Sequence, residues 1–188
     1  MAPGAGCLPG PSDGCGRWAA GSGLLVRAWE KVAAVHPDWK LEIWGDGPER
    51  GSLERLVRGK GLEKNVLLRG ATGEVQEKLL QSSMLVFPSL FEGFGMVLVE
   101  AMACGVPCVA FECPCGPRDV ISPEEDGLLV PPGDTDALAR AIIRLMEQSE
   151  LRSRMGEAAR NKAARYAMDA VCAAWMDLFR QLNSSSSR

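Results

Sequence analysis

Histidine occurs once in the 188 residues, as His36. A Ser-His-Asp triad would have to be built on it, and a zinc site would have to rest on cysteine. Cys113-Pro114-Cys115 brings two thiols one residue apart, but no second Cys or His pair accompanies them, so they read as loop cysteines and not as metal ligands. His36 itself falls between an amphipathic run and Pro37, where a cation suits the end of a helix. Long apolar runs are missing too. Met84-Leu85-Val86-Phe87 stops at Pro88 and Met96-Val97-Leu98-Val99 stops at Glu100, far short of the roughly 20 residues of a membrane helix. Nor is there an excess of positive charge: 21 Lys plus Arg face 24 Asp plus Glu, a formal charge of -3. That balance argues against a nucleic-acid binder, which would show clustered cations and a basic isoelectric point. Any anion this protein holds must be held locally.

What is present is the composition of one ordinary globular domain, 46% hydrophobic and 24% charged, long enough to bury a core without disulfide or metal staples. Seven cysteines is an odd number, and Cys104, Cys108 and Cys172 sit inside apolar patterns, so reduced thiols are expected. Residues 1–23 differ from the rest. Ten of these 23 are Gly or Pro, apolar periodicity is absent, and the basic start and apolar centre of a secretory signal are lacking. Disorder is expected there, a single domain over 24–182, a polar tail over 183–188, and a cytoplasmic location.

From Leu24 two periods alternate. A helical stripe (Leu24, Leu25, Ala28, Trp29, Val32) is followed by a strand-like run, Trp39 to Trp44, ending at Gly45. Leu53, Leu56 and Val57 recur at helical spacing before a second strand, Val66-Leu67-Leu68, ends near Gly70. The cycle repeats with a short helix at Val75 to Leu80, a strand at Met84 to Phe87, a helix at Val97 to Ala103 and a strand at Pro107 to Phe111. Gly127 to Val130 reads as a last strand, Asp134 as the cap of a helix carrying Leu138, Ala141, Ile142 and Leu145, and helix follows from Leu151 through Leu182. Short buried strands alternating with helices predict an α/β fold, a Rossmann-like parallel sheet with helices on both faces. Such sheets bind ligands outside the carboxyl ends of their strands, which directs attention to Gly45-Asp46-Gly47-Pro48, Gly70-Ala71-Thr72, Ser89 to Gly95, and Glu112 to Asp119.

The most informative stretch is Pro88-Ser89-Leu90-Phe91-Glu92-Gly93-Phe94-Gly95-Met96-Val97-Leu98-Val99-Glu100, continuing to Pro107. It reads as strand, loop, helix, turn and strand. Glu92 lies in the loop and Glu100 about one turn inside the helix, so two carboxylates flank a helix N-terminus. Gly93 and Gly95 let backbone N–H groups approach a ligand, and those donors with the helix dipole suit a phosphate. Carboxylates on either side suit sugar hydroxyls, because each accepts two hydrogen bonds.

Glu-(seven residues)-Glu within Pro-Ser-x-x-Glu-Gly-Phe-Gly, followed by Glu-Ala-Met-Ala-x-Gly-Val-Pro, resembles the C-terminal domain of group 1 (family 4) glycosyltransferases of the GT-B architecture. The likeness runs from about Leu24 to Ala164, with further matches at Pro37 to Pro48, Asn65-Val66 and Gly127 to Val130. The resemblance implies a single C-terminal half of a retaining enzyme. Such an enzyme moves a hexosyl group from a nucleotide-diphosphate sugar to a glycan or lipid-linked acceptor in cell-surface polysaccharide or lipopolysaccharide synthesis. It implies Glu92 as the catalytic residue, touching donor-sugar hydroxyls, and Gly93, Phe94, Gly95, Met96 and Val97 as a run of backbone donors to sugar and diphosphate. It implies Glu100 on the nucleotide ribose, Gly45 and Gly47 lining the cleft, and Arg69 in the loop facing the base. The donor would be of UDP or GDP type, with no cofactor and no metal. The donor's own diphosphate would assist departure, with no protein nucleophile. The acceptor would be bound by an N-terminal domain, and the full-length enzyme is expected at the inner face of the membrane as a peripheral protein.

The sequence departs from the family where the domain should open with a strand and a Gly-Arg…Lys-Gly loop. Gly16-Arg17-Trp18-Ala19-Ala20-Gly21-Ser22-Gly23 keeps an arginine but has no lysine, which implies weakened hold on the diphosphate. With that and the missing acceptor domain, the chain is expected to be a truncated or mispredicted product, its first 23 residues read from a wrong frame or start, and inactive or weakly active by itself. The alternative is a non-catalytic nucleotide-sugar-binding fragment or subunit needing a partner. A nicotinamide dehydrogenase is disfavoured, since Gly45-Asp46-Gly47-Pro48-Glu49-Arg50-Gly51 puts the last glycine one place late and a proline in the turn. Arg118 reads as a surface loop arginine.

Overall fold

A computed structural model describes residues 4–7 and 18–185. Six parallel strands form one sheet: β1 (Gly4–Cys7), β2 (Lys40–Trp44), β3 (Val66–Gly70), β4 (Met84–Phe87), β5 (Cys108–Phe111) and β6 (Gly127–Val130). Their spatial order is β3-β2-β1-β4-β5-β6. The chain thus builds one half outward from β1, then crosses back to lay β4 against the other edge of β1. That reversal makes a crevice at the carboxyl end of β1 and β4, where open α/β sheets bind ligands.

Period-two alternation within the central strands sorts side chains to two cores. Met84 and Val86 face one side and Leu85 and Phe87 the other; on β5, Val109 and Phe111 part from Cys108 and Ala110 in the same way. The first core is closed by α1 (Trp18–Val35), α2 (Arg50–Gly59) and α6 (Thr135–Glu147), with Trp29, Leu25 and Leu138 fully buried. The second is closed by α3 (Val75–Leu80), α4 (Met96–Ala103), the single-turn α5 (Pro117–Val120) and the later part of α7 (Ser149–Ala163). Both faces of β4 and β5 are therefore covered, which is why they read as unbroken apolar runs. The predicted cap is present, with Asp134 Oδ1 accepting from the N–H groups of Asp136 (3.0 Å) and Ala137 (2.8 Å). Helix α1 ends at Val35, next to His36, as its sequence suggested.

The element bounds differ from the sequence reading in three places. Residues 1–23 were expected to be disordered, yet Gly4–Cys7 form β1 and pair with both β2 and β4, and α1 begins at Trp18 rather than Leu24. Gly4-Ala5-Gly6-Cys7 has no branched or aromatic residue to signal a strand; backbone pairing on both edges defines it. Residues 8–17 of that stretch lie outside the described residues. The final helical run breaks at a 3₁₀ turn, Ala164–Tyr166, and at extended Ala167 before α8 (Met168–Ser185), which runs past the expected domain end at 182. All described α8 side chains are exposed, including Met168, Trp175, Phe179 and Leu182. No helix among the described residues is long and apolar enough to cross a membrane.

Candidate active site

The loop between β4 and α4 sits at the reversal point. Gly95 ends it in the left-handed region (φ 82°, ψ 57°), and no side chain caps α4. A Cβ at Gly95 would lie 3.1 Å from Leu98 Cδ1, so both backbone angle and packing select glycine here. Leu98 donates to the Gly95 carbonyl at 2.9 Å, leaving the N–H groups of Met96 and Val97 without an intrahelical acceptor. The Val97, Leu98 and Val99 side chains are buried and anchor the helix, while Glu100 is exposed and Glu92 half-buried. Along the chain, Glu92 thus precedes and Glu100 follows an uncapped, positively polarised helix start.

Neighbouring elements press on this loop from two directions. In the first turn of α1, a Cβ at Gly21 would lie only 2.4 Å from the Pro88 carbonyl oxygen, so α1 approaches the end of β4 as closely as a glycine allows. From the loop between β5 and α5, Gly116 (φ 69°) brings its backbone so near that a Cβ would meet Phe94 O at 2.7 Å and Glu92 Cβ at 3.1 Å. Gly116→Ala is expected to cost about 1–3 kcal/mol, because it adds a side chain in a backbone region that tolerates none and drives it into the Phe94 peptide. Thermal denaturation checks it; an unchanged midpoint would mean the two loops are not in contact.

Glu92 also makes itself felt at Cys113, whose thiol is pushed up first by burial and then by the Glu92 carboxylate. Cys108 is pushed up by complete burial and by Asp126. Among the described cysteines, Cys115 and Cys172 are exposed whereas Cys108 and Cys113 are buried. A thiol reagent at pH 8 is expected to modify Cys115 and Cys172 quickly and Cys108 and Cys113 only on unfolding, since thiolate and access are both needed. Peptide mapping of the adducts would reveal any fast label on Cys113.

The other residues singled out from sequence are placed less centrally. Gly45 and Gly47 follow β2, two strand positions from β4 and hence about 10 Å along the same sheet edge. Gly45 donates to the Gly70 carbonyl at 2.7 Å, pairing the ends of β2 and β3. Arg69 lies on β3, three strand positions from β4, and its guanidinium donates to Glu42 Oε1 at 3.0 and 2.5 Å. It is engaged across the strands and is not brought to the α4 N-terminus. Arg118 pairs with Glu112 at 3.2 Å on the surface, and Arg17 lies outside the described residues. Among the described residues no group of three or more His, Cys, Asp or Glu is arranged to hold a metal ion.

Comparison with known proteins decides the family. The pattern described as "Glycosyl transferases group 1" matches residues 16–162. The chain belongs to the group 1 glycosyltransferases. Its fold is that of one half of the GT-B enzymes, consistent with the C-terminal half. A Staphylococcus aureus TarM mutant, solved with fondaparinux, alpha-GlcNAc-glycerol and UDP, superposes with a TM-score of 0.83 at 27% identity over 94% of this chain. The C-terminal domain of the group 1 family protein LpcC from Francisella tularensis superposes with a TM-score of 0.76 at 24% identity, covering 88% of this chain and 87% of that domain. In sequence, the chain is 41% identical over 160 residues to the exopolysaccharide phosphotransferase SCO2592 of Streptomyces coelicolor. This glycosyltransferase chain spans 35% of TarM and 17% of SCO2592, well under half of either protein. The family pattern begins at residue 16, ahead of the expected Leu24, in agreement with the early start of α1.

Tyr166 is the contributor that sequence reasoning passed over, whereas Gly116 lies within the Glu112 to Asp119 stretch it singled out. Tyr166 packs edge-on against Phe94 of the loop, with ring centroids 5.8 Å apart and planes at 72°. It is the only tyrosine in the chain, but its separation from Phe94 hid the contact.

Proposed function

We propose that this chain is the donor-binding half of a retaining glycosyltransferase that takes a nucleoside diphosphate sugar of UDP or GDP type. The observation that carries the reading is the uncapped start of α4, flanked by Glu92 and Glu100, at the point where the sheet reverses. The Met96 and Val97 N–H groups would receive diphosphate oxygens, where anion charge and helix dipole reinforce each other. Glu92 would accept hydrogen bonds from sugar hydroxyls and Glu100 from ribose hydroxyls. UDP in the TarM complex supports the nucleotide class. Charge developing on the departing diphosphate would be stabilised by the same amide donors, fixed in place before reaction.

Acceptor positioning would fall to a second domain, so we propose that transfer by this chain alone is weak. That fits the 35% share of TarM that it spans, and effective catalysis needs donor and acceptor held in register. Calorimetric titration with UDP, GDP and their sugars tests the donor reading. Saturable binding that survives EDTA is expected, and the absence of binding by any of these ligands would overturn it. A hexosyl acceptor such as a glycan or lipid-linked sugar, with association at the inner membrane face, belongs to the same proposal. Robust transfer by the isolated chain would overturn its division of labour.

A further inference from the structure

We infer that Tyr166 is a positioning residue for the donor loop, holding Phe94 and thereby the backbone donors that follow it; this rests on the donor reading proposed above. Phe94 lies between Gly93 and Gly95, next to the Met96 and Val97 amides, and is 39% exposed. A loop with glycine on both sides of its aromatic residue is intrinsically mobile, and disorder there would scatter the amide donors.

Two contacts oppose that mobility. On one side the Gly116 backbone abuts the Phe94 peptide and Glu92 Cβ. On the other, the Tyr166 ring meets Phe94 edge to face at 5.8 Å, a favoured aromatic geometry. Tyr166 is itself fixed. Its 3₁₀ turn continues directly from α7, and the half-buried ring packs against the core shared by α4 and the later part of α7. Burial raises its hydroxyl pKa, with Asp126 and Asp119 adding to the rise and Arg165 opposing it, so the side chain stays neutral. The tyrosine therefore ties the loop to the body through the ring, and a phenylalanine should serve as well.

The test compares Tyr166→Ala and Tyr166→Phe with the unaltered chain in two measurements. In hydrogen exchange without ligand, Tyr166→Ala is expected to speed exchange at residues 92–97 while the β5, β6 and α6 amides keep their protection, and Tyr166→Phe to match the parent. In titration with UDP and its sugars, Tyr166→Ala should bind about three- to tenfold more weakly and Tyr166→Phe normally. Unchanged exchange at 92–97 in Tyr166→Ala would overturn the inference. So would faster exchange spread evenly over the sheet, which marks a merely structural residue. The exchange measurement needs no ligand, so it decides the role of Tyr166 even if the parent binds no nucleotide and the donor reading itself fails.

Discussion

Glu100→Ala is expected to weaken binding of a nucleoside diphosphate sugar by about ten- to a hundredfold. A hydrogen bond to a charged group is worth about 1.5–3 kcal/mol, and each 1.4 kcal/mol is tenfold in affinity. Glu100 is exposed and its helix is held by Val97, Leu98 and Val99 beneath it, so the fold should lose little, within about 0.5 kcal/mol. An exposed acid on another helix, Glu157, supplies the control, and Glu157→Ala should bind as the parent does. Equal affinity in the two variants would remove Glu100 from the site. Glu92→Ala should behave differently, keeping UDP affinity while losing the extra affinity for the sugar-bearing form. Calorimetry with both ligands separates the two carboxylates.

The largest stability effect is expected away from the loop between β4 and α4. Asp126, only 3% exposed, is the buried charged residue of the described core. It accepts from Lys162 Nζ at 2.8 Å and from the Ser122 N–H at 2.8 Å, and Lys162 also donates to Ser122 Oγ at 2.8 Å. This network fastens α7 to the turn that feeds β6. Lys162→Met leaves a buried carboxylate uncompensated and is expected to cost about 3–5 kcal/mol, a large share of the about 5–15 kcal/mol typical of a domain. Its melting midpoint should fall on the order of 10 °C. The double variant Asp126→Leu with Lys162→Met should recover most of the loss, because apolar replacement of a whole buried pair is often neutral. A Lys162→Met midpoint within about 2 °C of the parent would show the pair to be well hydrated.

The β4–loop–α4 unit was legible because its signals are local: an apolar run, a glycine loop and a helical run follow one another within residues 84–103. The same is true of the Asp134 cap. β1 was not legible, since Gly-Ala-Gly-Cys carries no alternation and its role comes from pairing with strands far along the chain. Arg69 shows the same limit. Its motif pointed to the end of β3, but nothing in its neighbourhood announced the pairing with Glu42 that register between β2 and β3 sets up. Asp126 with Lys162, and Phe94 with Tyr166, meet only once α7 has packed along α4, and nothing in their sequence spacing announces the encounter.

The brevity of β1 has a consequence for how the molecule would answer a ligand. Its register with β2 extends over four residues, Gly4 to Cys7, but with β4 over two, Ala5 and Gly6. The sheet is thus two three-stranded pieces sewn together along one short seam between β1 and β4, and the first turn of α1 meets Pro88 just past the end of β4. A diphosphate lying across it would act as a stitch. Saturating ligand at 100 times its dissociation constant should add about 2.7 kcal/mol to stability by mass action, and hydrogen exchange should slow first at β1 and the adjoining β4 amides, where the halves are most easily parted.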